Sequence, residues 1–203
     1  MAISRGDIAL WKELKGKIPA RPSVLEIGEA NWFGDVEVSS VPGMDASNPD
    51  SFALGKAFYR AVLDYSRIVS IDMNGTTALA YDLNEPVPLA ETFDIVINTG
   101  TAEHVFDQRQ VFETIHERTK VGGLMVHCFP IAGCTDHGFY THSPCLVREL
   151  SRANGYALLA AVEMHDGPDK LVYIAWRKTS DKPFKCPQQG ECKGIMGGAF
   201  NPL

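Results

Sequence analysis

Phe93-Asp94-Ile95-Val96-Ile97-Asn98-Thr99-Gly100-Thr101-Ala102-Glu103-His104-Val105-Phe106-Asp107 is the stretch that decides the fold. Its first seven residues form a short apolar run with several β-branched side chains, the pattern of a buried strand. Gly100 stops the run. Asp107 and Gln110 then make D-x-x-Q, a capping signature for a helix whose Val111, Phe112 and Ile115 share one face. That helix is expected to end at Gly122-Gly123, which lead into a second apolar strand, Leu124 to Phe129. Strand, helix, strand at this spacing predicts a parallel βαβ unit.

Upstream, the pattern repeats. Ser4 and Asp7 form S-x-x-D ahead of Ile8, Trp11 and Leu14, which predicts a helix ending near Pro19. Ser23 to Gly28 (SVLEIG) reads as a buried strand, and residues 29–50 as an extended loop. Ser51 to Tyr65 is helical in spacing through Phe58, Ala61, Val62 and Tyr65. Arg67 to Met73 and Thr77 to Leu83 look like strands. Too few residues separate these two for the helical crossover that parallel neighbours need, so an Asn74-Gly75 hairpin is the alternative.

Downstream, Ser143-Pro144 opens a helix with Leu146, Val147 and Leu150 on one face, and Gly155 closes it. Tyr156 to His165 and Lys170 to Lys178 flank Asp166-Gly167-Pro168-Asp169 and read as an antiparallel hairpin. The expectation is an α/β protein: an N-terminal helix over 1–19, one α/β domain over 20–178, and an irregular tail over 179–203.

Bulk properties narrow the function classes. The 203 residues suit one domain with a sizeable core. With 19 Lys+Arg against 25 Asp+Glu the net charge is -6, which argues against a nucleic-acid partner, because phosphate neutralisation dominates such binding. The N-terminus lacks a signal-peptide core, and no stretch approaches the ~20 apolar residues that span a bilayer. Five cysteines in dissimilar contexts (Cys128, Cys134, Cys145, Cys186 and Cys192) read as free thiols of a cytoplasmic protein. Cys186 and Cys192 lack the spacing of a zinc knuckle.

Ligands of open α/β sheets bind at the carboxyl ends of the strands. Glu26 and Gly28 end the first strand here: the glycine permits a tight turn, and the carboxylate suits an ammonium. Asp72 ends the second and suits a ribose diol, although Asp-Met-Asn-Gly is also a good turn. Asp82 ends the third and can accept from an adenine amino group, or cap its own loop. Asn98, Thr99 and Gly100 end the fourth. Any one of these is weak evidence; their placement at successive strand ends is what counts.

In that order, VLEIG, SIDM, YDLN, FDIVINTGTAEHVFD, VGGLMVHCFP and DHGFYTHSP resemble the motif series of class I S-adenosylmethionine-dependent methyltransferases, over roughly residues 20–178. The resemblance implies a Rossmann-like three-layer sandwich, S-adenosylmethionine as cofactor, and Glu26, Gly28, Asp72, Asp82 and Asn98 as cofactor contacts, with Gly100 bordering the sulfonium. Besides the short spacing between the second and third strand candidates noted above, the chain departs from the pattern in two ways. The first loop keeps only Gly28 of its glycine repeat, followed by Ala30 and Gly34. Asp72 stands 44 positions after Gly28, where about 20 is usual, so residues 29–50 are a candidate lid.

A methyl acceptor that carries a proton needs a base. Glu103 and His104 follow the fourth strand and His137 follows the fifth; these are the candidates, with His127 and His142 behind them. Two imidazoles and a carboxylate also form a metal-ligand set, similar to that of metal-dependent methyltransferases acting on terminal 2′-hydroxyls of small RNA. Gly100 stands where that pattern has another Glu, so no metal is assigned. Trp32, Phe33, Phe139 and Tyr140 are candidate acceptor contacts. The expected activity is methyl transfer to oxygen or nitrogen of a small-molecule acceptor, with a homo-oligomer through the tail. The rivals are a nicotinamide-dependent oxidoreductase, whose glycine fingerprint is missing, and a non-catalytic relative of the same fold.

Overall fold

The structure, a computed structural model, describes residues 2–190. In chain order the elements are β1 (Ala2–Ile3), α1 (Arg5–Glu13), β2 (Ser23–Ile27), β3 (Asn31–Trp32), α2 (Ser51–Leu63), β4 (Arg67–Ile71), β5 (Phe93–Thr99), α3 (Gln108–Arg118), β6 (Thr119–Ala132), α4 (Pro144–Asn154), β7 (Ala157–Asp166) and β8 (Asp169–Arg177), with 3-10 turns at Val38–Ser40 and Ala102–His104. Six strands make one sheet in the order β4-β2-β5-β6-β8-β7. The first four are mutually parallel, and β8 runs antiparallel to both of its neighbours. This is the Rossmann-like arrangement with a closing hairpin.

Strand alternation creates the two outer layers. Val24, Ile95, Ile97, Leu124, Val126 and Ala175 point to the face covered by α1 and α2, where they meet Leu10, Trp11, Phe58 and Tyr59. Leu25, Val96, Met125, Ile174 and Trp176, on the opposite parity, meet Val111, Phe112 and Ile115 of α3 and Val147 and Leu150 of α4. A strand apolar at every position therefore carries two cores, one per face.

The helix starts are set by capping. Ser4 and Asp7 form the reciprocal box. Asp50 accepts from the N–H groups of Phe52 and Ala53, Asp107 from that of Gln110, and Ser143 from that of Cys145. Helix ends are less well marked in sequence. α1 stops at Glu13 instead of running to Pro19. α3 stops at Arg118, not at Gly122-Gly123: Thr119 takes extended backbone, φ -92° and ψ 127°, and Lys178, just past the end of β8, donates to the carbonyls of His116 and Thr119. Thr119 then extends into β6 and pairs with Phe93.

The strand expected over Thr77–Leu83 does not form. Leu79 alone makes a parallel bridge to Ile71, its N–H donating to the Ser70 carbonyl while Asp72 N donates back to its own carbonyl. The bridge is parallel, so the Asn74-Gly75 hairpin is excluded as well. Glu29 takes over instead: its buried carboxylate accepts from the N–H groups and hydroxyls of Thr76 and Thr77, pinning this segment as a loop.

The long segment after β2 is not a free loop. β3 pairs in parallel with β1, and Val41 is buried in the α1–α2 core. Residues 179–190 hold neither helix nor strand, yet are fastened down: Lys182 O accepts from His116 Nε2 at 2.9 Å, and Lys185 N donates to Asn154 Oδ1 at 2.8 Å. The rest of the tail, including Cys192 and the stretch expected to meet a partner subunit, lies outside the described residues. Cys128, Cys134 and Cys186 are free, whereas Cys145 is disulfide-bonded, which departs from the expectation of free thiols throughout. No described helix is long and apolar enough to cross a membrane.

Candidate functional site

The carboxyl ends of β2, β4 and β5 open onto one crevice, a cavity of about 370 Å³ whose walls include Gly28, Asp72, Asp82, Gly100, Thr101 and His104. Four of the six predicted cofactor residues therefore share one space, although they come from four separate chain segments. Glu26 and Asn98 do not reach it. Both are fully buried beneath.

Each has a defined job there. Glu26 receives the Lys56 ammonium from α2 and the Ser70 hydroxyl from β4, and its other oxygen accepts from Ala30 N at 3.4 Å. Burial pushes the Glu26 carboxyl above its ordinary range, against the pull of Lys56. Asn98 donates to His127 Nδ1 at 3.2 Å and accepts from Ala102 N at 3.0 Å, which holds the turn after β5 closed.

At the rim, Gly28 takes φ +87°, where a side chain is strained, and a Cβ there would stand 2.1 Å from Thr101 Oγ1. The two loops thus touch at bare backbone. The buried Thr101 hydroxyl has no hydrogen-bond partner among the described residues. Asp72 accepts from Glu29 N on one oxygen and from Asn74 N on the other, at 2.9 and 2.8 Å. Each carboxylate oxygen offers two lone pairs, so both can accept again. Asp82 is exposed, and its contacts with Asn84 hold its carboxyl below the usual range.

A second group gathers where the crevice ends. Glu103 and His104 lie on the 3-10 turn after β5, and His137 on the loop after β6. The two imidazole centroids are 4.9 Å apart, and His137 Nε2 is 3.9 Å from Glu103 Oε1. Glu103 is 2% exposed, and its Oε2 has no partner among the described residues. Burial pushes its carboxyl up to about 7. Burial, with the neighbouring His137, holds His104 below its ordinary value.

The His137 loop is clamped to this turn. Tyr140 N donates to Glu103 O at 3.1 Å, Tyr140 Oη to Phe106 O at 2.9 Å, and Gly138 packs so closely that a Cβ would lie 2.9 Å from Glu103 O. Cys134 and Asp136 take φ +50° and +59° in the same loop, a local concentration of strained backbone. On its far side His137 lines another cavity, of about 480 Å³, together with Arg5, Phe33, Asp35, Asp166 and Asp169. Phe139 and Tyr140 form an exposed aromatic cluster with Phe106 rather than a pocket wall. His127 and His142 are buried packing residues behind the site.

Sequence reading missed Thr101, Glu29 and Lys56. A threonine in a loop carries no signal of what it packs on. The Glu29 and Lys56 contacts span the chain and become visible only once α2 lies across β2.

No family model matches the chain, and no curated relative does. Solved structures do. TehB from Haemophilus influenzae superposes with a TM-score of 0.58 at 17% identity, covering 87% of this chain and 63% of that one, so the chain spans less than two thirds of TehB. The 1,6-didemethyltoxoflavin-N1-methyltransferase of Burkholderia thailandensis, solved with that acceptor and S-adenosylhomocysteine, gives 0.55 at 14% identity, covering 85% and 76%. An S-adenosylmethionine-dependent methyltransferase from Mesorhizobium loti gives 0.53 at 12%, covering 82% and 96%. With sheet order, closing hairpin and strand-end crevice all agreeing, the chain has the fold of the class I S-adenosylmethionine-dependent methyltransferases.

Proposed function

We propose that this protein is an S-adenosylmethionine-dependent methyltransferase acting on an oxygen or nitrogen atom of a small-molecule acceptor. The observation that carries the reading is the convergence of Gly28, Asp72, Asp82 and Gly100 on one cavity at the strand ends. The residues fit the cofactor. Asp72 keeps free lone pairs for a ribose diol, Gly28 offers backbone without a side chain, and the Thr101 hydroxyl beside it has no partner among the described residues. Asp82 suits the adenine amino group. Glu26 and Asn98 act as positioning residues, ordering the loops after β2 and β5 from below. When bound, the cofactor supplies a methyl group on a sulfonium, a good leaving group that asks little chemistry of the protein.

What remains for the chain is to hold the acceptor in line, an effect that supplies several kcal/mol, and to receive its proton. The 480 Å³ cavity falls within the range of small-molecule sites, roughly 300–1,000 Å³. It carries three carboxylates, Asp35, Asp166 and Asp169, against Arg5, which disfavours an RNA end as occupant. His104 lines the crevice and His137 the second cavity, with Glu103 between them, so by position these three are the groups that would take the proton. The test is S-adenosylhomocysteine formation from labelled S-adenosylmethionine across a panel of hydroxyl and amine acceptors, with His104→Ala and His137→Ala alongside. Full rate in both variants removes the base assignment. Cofactor binding without turnover on any acceptor favours a non-catalytic relative.

A further inference from the structure

We propose that Glu103, His104 and His137 form a binding site for a divalent transition-metal ion. One donor atom from each, a carboxylate oxygen and two imidazole nitrogens, lies within 4.8 Å of the others. Ligand bonds of about 2.0–2.2 Å put two donors no more than about 4.4 Å apart. A small rotation of His137, whose side chain is 55% exposed, closes that gap. Two imidazoles with one carboxylate suit Mn²⁺, Fe²⁺, Co²⁺ or Zn²⁺ and leave coordination positions open.

The alternative is that the three merely pack together, and the surroundings of Glu103 argue against it. A carboxylate almost wholly out of water needs a charge partner or hydrogen bonds. Among the described residues Oε2 has no hydrogen-bond partner, His137 Nε2 at 3.9 Å is the nearest basic side-chain group to Oε1, and no Lys or Arg lies within ion-pair range. A cation bound between the carboxylate and the two rings answers all three deficits. The framework is also rigid on both sides. The Glu103 backbone is held by Tyr140 N, and Gly138 brings the His137 loop against it.

Gly100 matters here in a way its sequence position does not suggest. A Cβ at residue 100 would meet nothing nearer than Glu103 Oε1, at 3.6 Å. The space beside the carboxylate is therefore open, next to the crevice that Gly100 and His104 line. An acceptor oxygen or nitrogen lying there would be within reach of the ion. This last point rests on the methyltransferase reading, and with an ion bound the three side chains would act as its ligands instead of taking the acceptor's proton; the metal site itself does not rest on that reading.

The experiment is a Co²⁺ titration of the untagged, chelator-treated full chain, without S-adenosylmethionine, followed by d–d absorption and by calorimetry, and repeated with Mn²⁺. One ion should bind per chain, with imidazole-type spectra. His104→Ala and His137→Ala, both at exposed positions, should each weaken binding by at least the factor of about 10–100 that even supporting residues contribute. Glu103→Gln should do the same, and His165→Ala, on β7, should leave affinity unchanged. No stoichiometric binding by the wild type overturns the proposal. So does binding that survives both His104→Ala and His137→Ala with folding intact by circular dichroism. Cofactor calorimetry on the metal-free chain is read separately, so failure of one reading is distinguishable from failure of the other.

Discussion

Gly138 lies against the carbonyl of Glu103, so close that a methyl group added at 138 would stand 2.9 Å from that oxygen and 3.2 Å from His104 Nδ1. The loop after β6 and the turn after β5 are thus seated on one another through a missing side chain. Gly138→Ala should push His137 away from Glu103. Overpacking of this kind costs about 1–3 kcal/mol. The expected outcome is a lower melting temperature with a larger proportional loss of methyl transfer; wild-type turnover in this variant would show that the His137 loop does not serve the site.

Gly28 faces Thr101 in a similar way, with the added strain of φ +87°. Gly28→Ala should lower S-adenosylhomocysteine affinity by more than about tenfold, given a backbone penalty of order 1–3 kcal/mol before any clash. Thr101→Ala in the same background relieves the contact but not the strain, so calorimetry should show only partial recovery.

Lys56 is the cation that neutralises Glu26, a carboxylate with no exposed surface. Removing one partner of a buried pair leaves an uncompensated charge and costs about 3–5 kcal/mol. Lys56→Ala should therefore be strongly destabilising in denaturant melts at neutral pH, and Glu26→Gln in that background should restore part of the loss. A Lys56→Ala protein as stable as wild type would place Glu26 in a wetter setting than the structure gives it.

Much of this was legible in the sequence because it depends on local spacing. The apolar run over Phe93–Thr99, the capping residues Ser4, Asp107 and Ser143, and the Gly167-Pro168 turn each determine an element through near neighbours. What could not be read comes from contacts across the fold. The segment after Ile71 has strand-like composition but is held as a loop by Glu29, from another crossover. α3 ends early where Thr119 turns into β6, and Lys178, some sixty positions on, donates to the carbonyls of His116 and Thr119 there. The site shows the same division: residue types at strand ends were readable, while which of them face the crevice was not. Glu26 and Asn98 sit one layer below it.

His127 and His142 give the account a pH dependence. Burial lowers them to about 3 and about 4, against about 6.5 in an unfolded chain. Between those values the unfolded state binds more protons than the folded one, so stability rises with pH. The contribution is complete above pH 6.5 and is lost as pH falls toward 4 and then 3, at up to about 1.4 kcal/mol per pH unit for each histidine. Buried Glu103 and Asp7, both raised to about 7, act with the opposite sign in this window, so the histidine contribution is read by difference: melting curves of wild type and His142→Gln at pH 7.5, 6.0 and 4.5 should converge as pH falls. A difference in stability between wild type and His142→Gln that stays constant across that window would contradict the burial of His142.

The most direct measurement is calorimetry of S-adenosylhomocysteine with the wild-type chain and with Asp72→Asn, which retains an oxygen acceptor but loses the carboxylate charge and one acceptor oxygen. A nucleoside lying over Gly28, its ribose hydroxyls on Asp72, predicts saturable one-to-one binding by the wild type and a loss of more than about tenfold in the variant, of the size expected for a hydrogen bond to a charged group. A wild-type chain that gives no heat of binding, or an Asp72→Asn chain that binds as tightly, would contradict it.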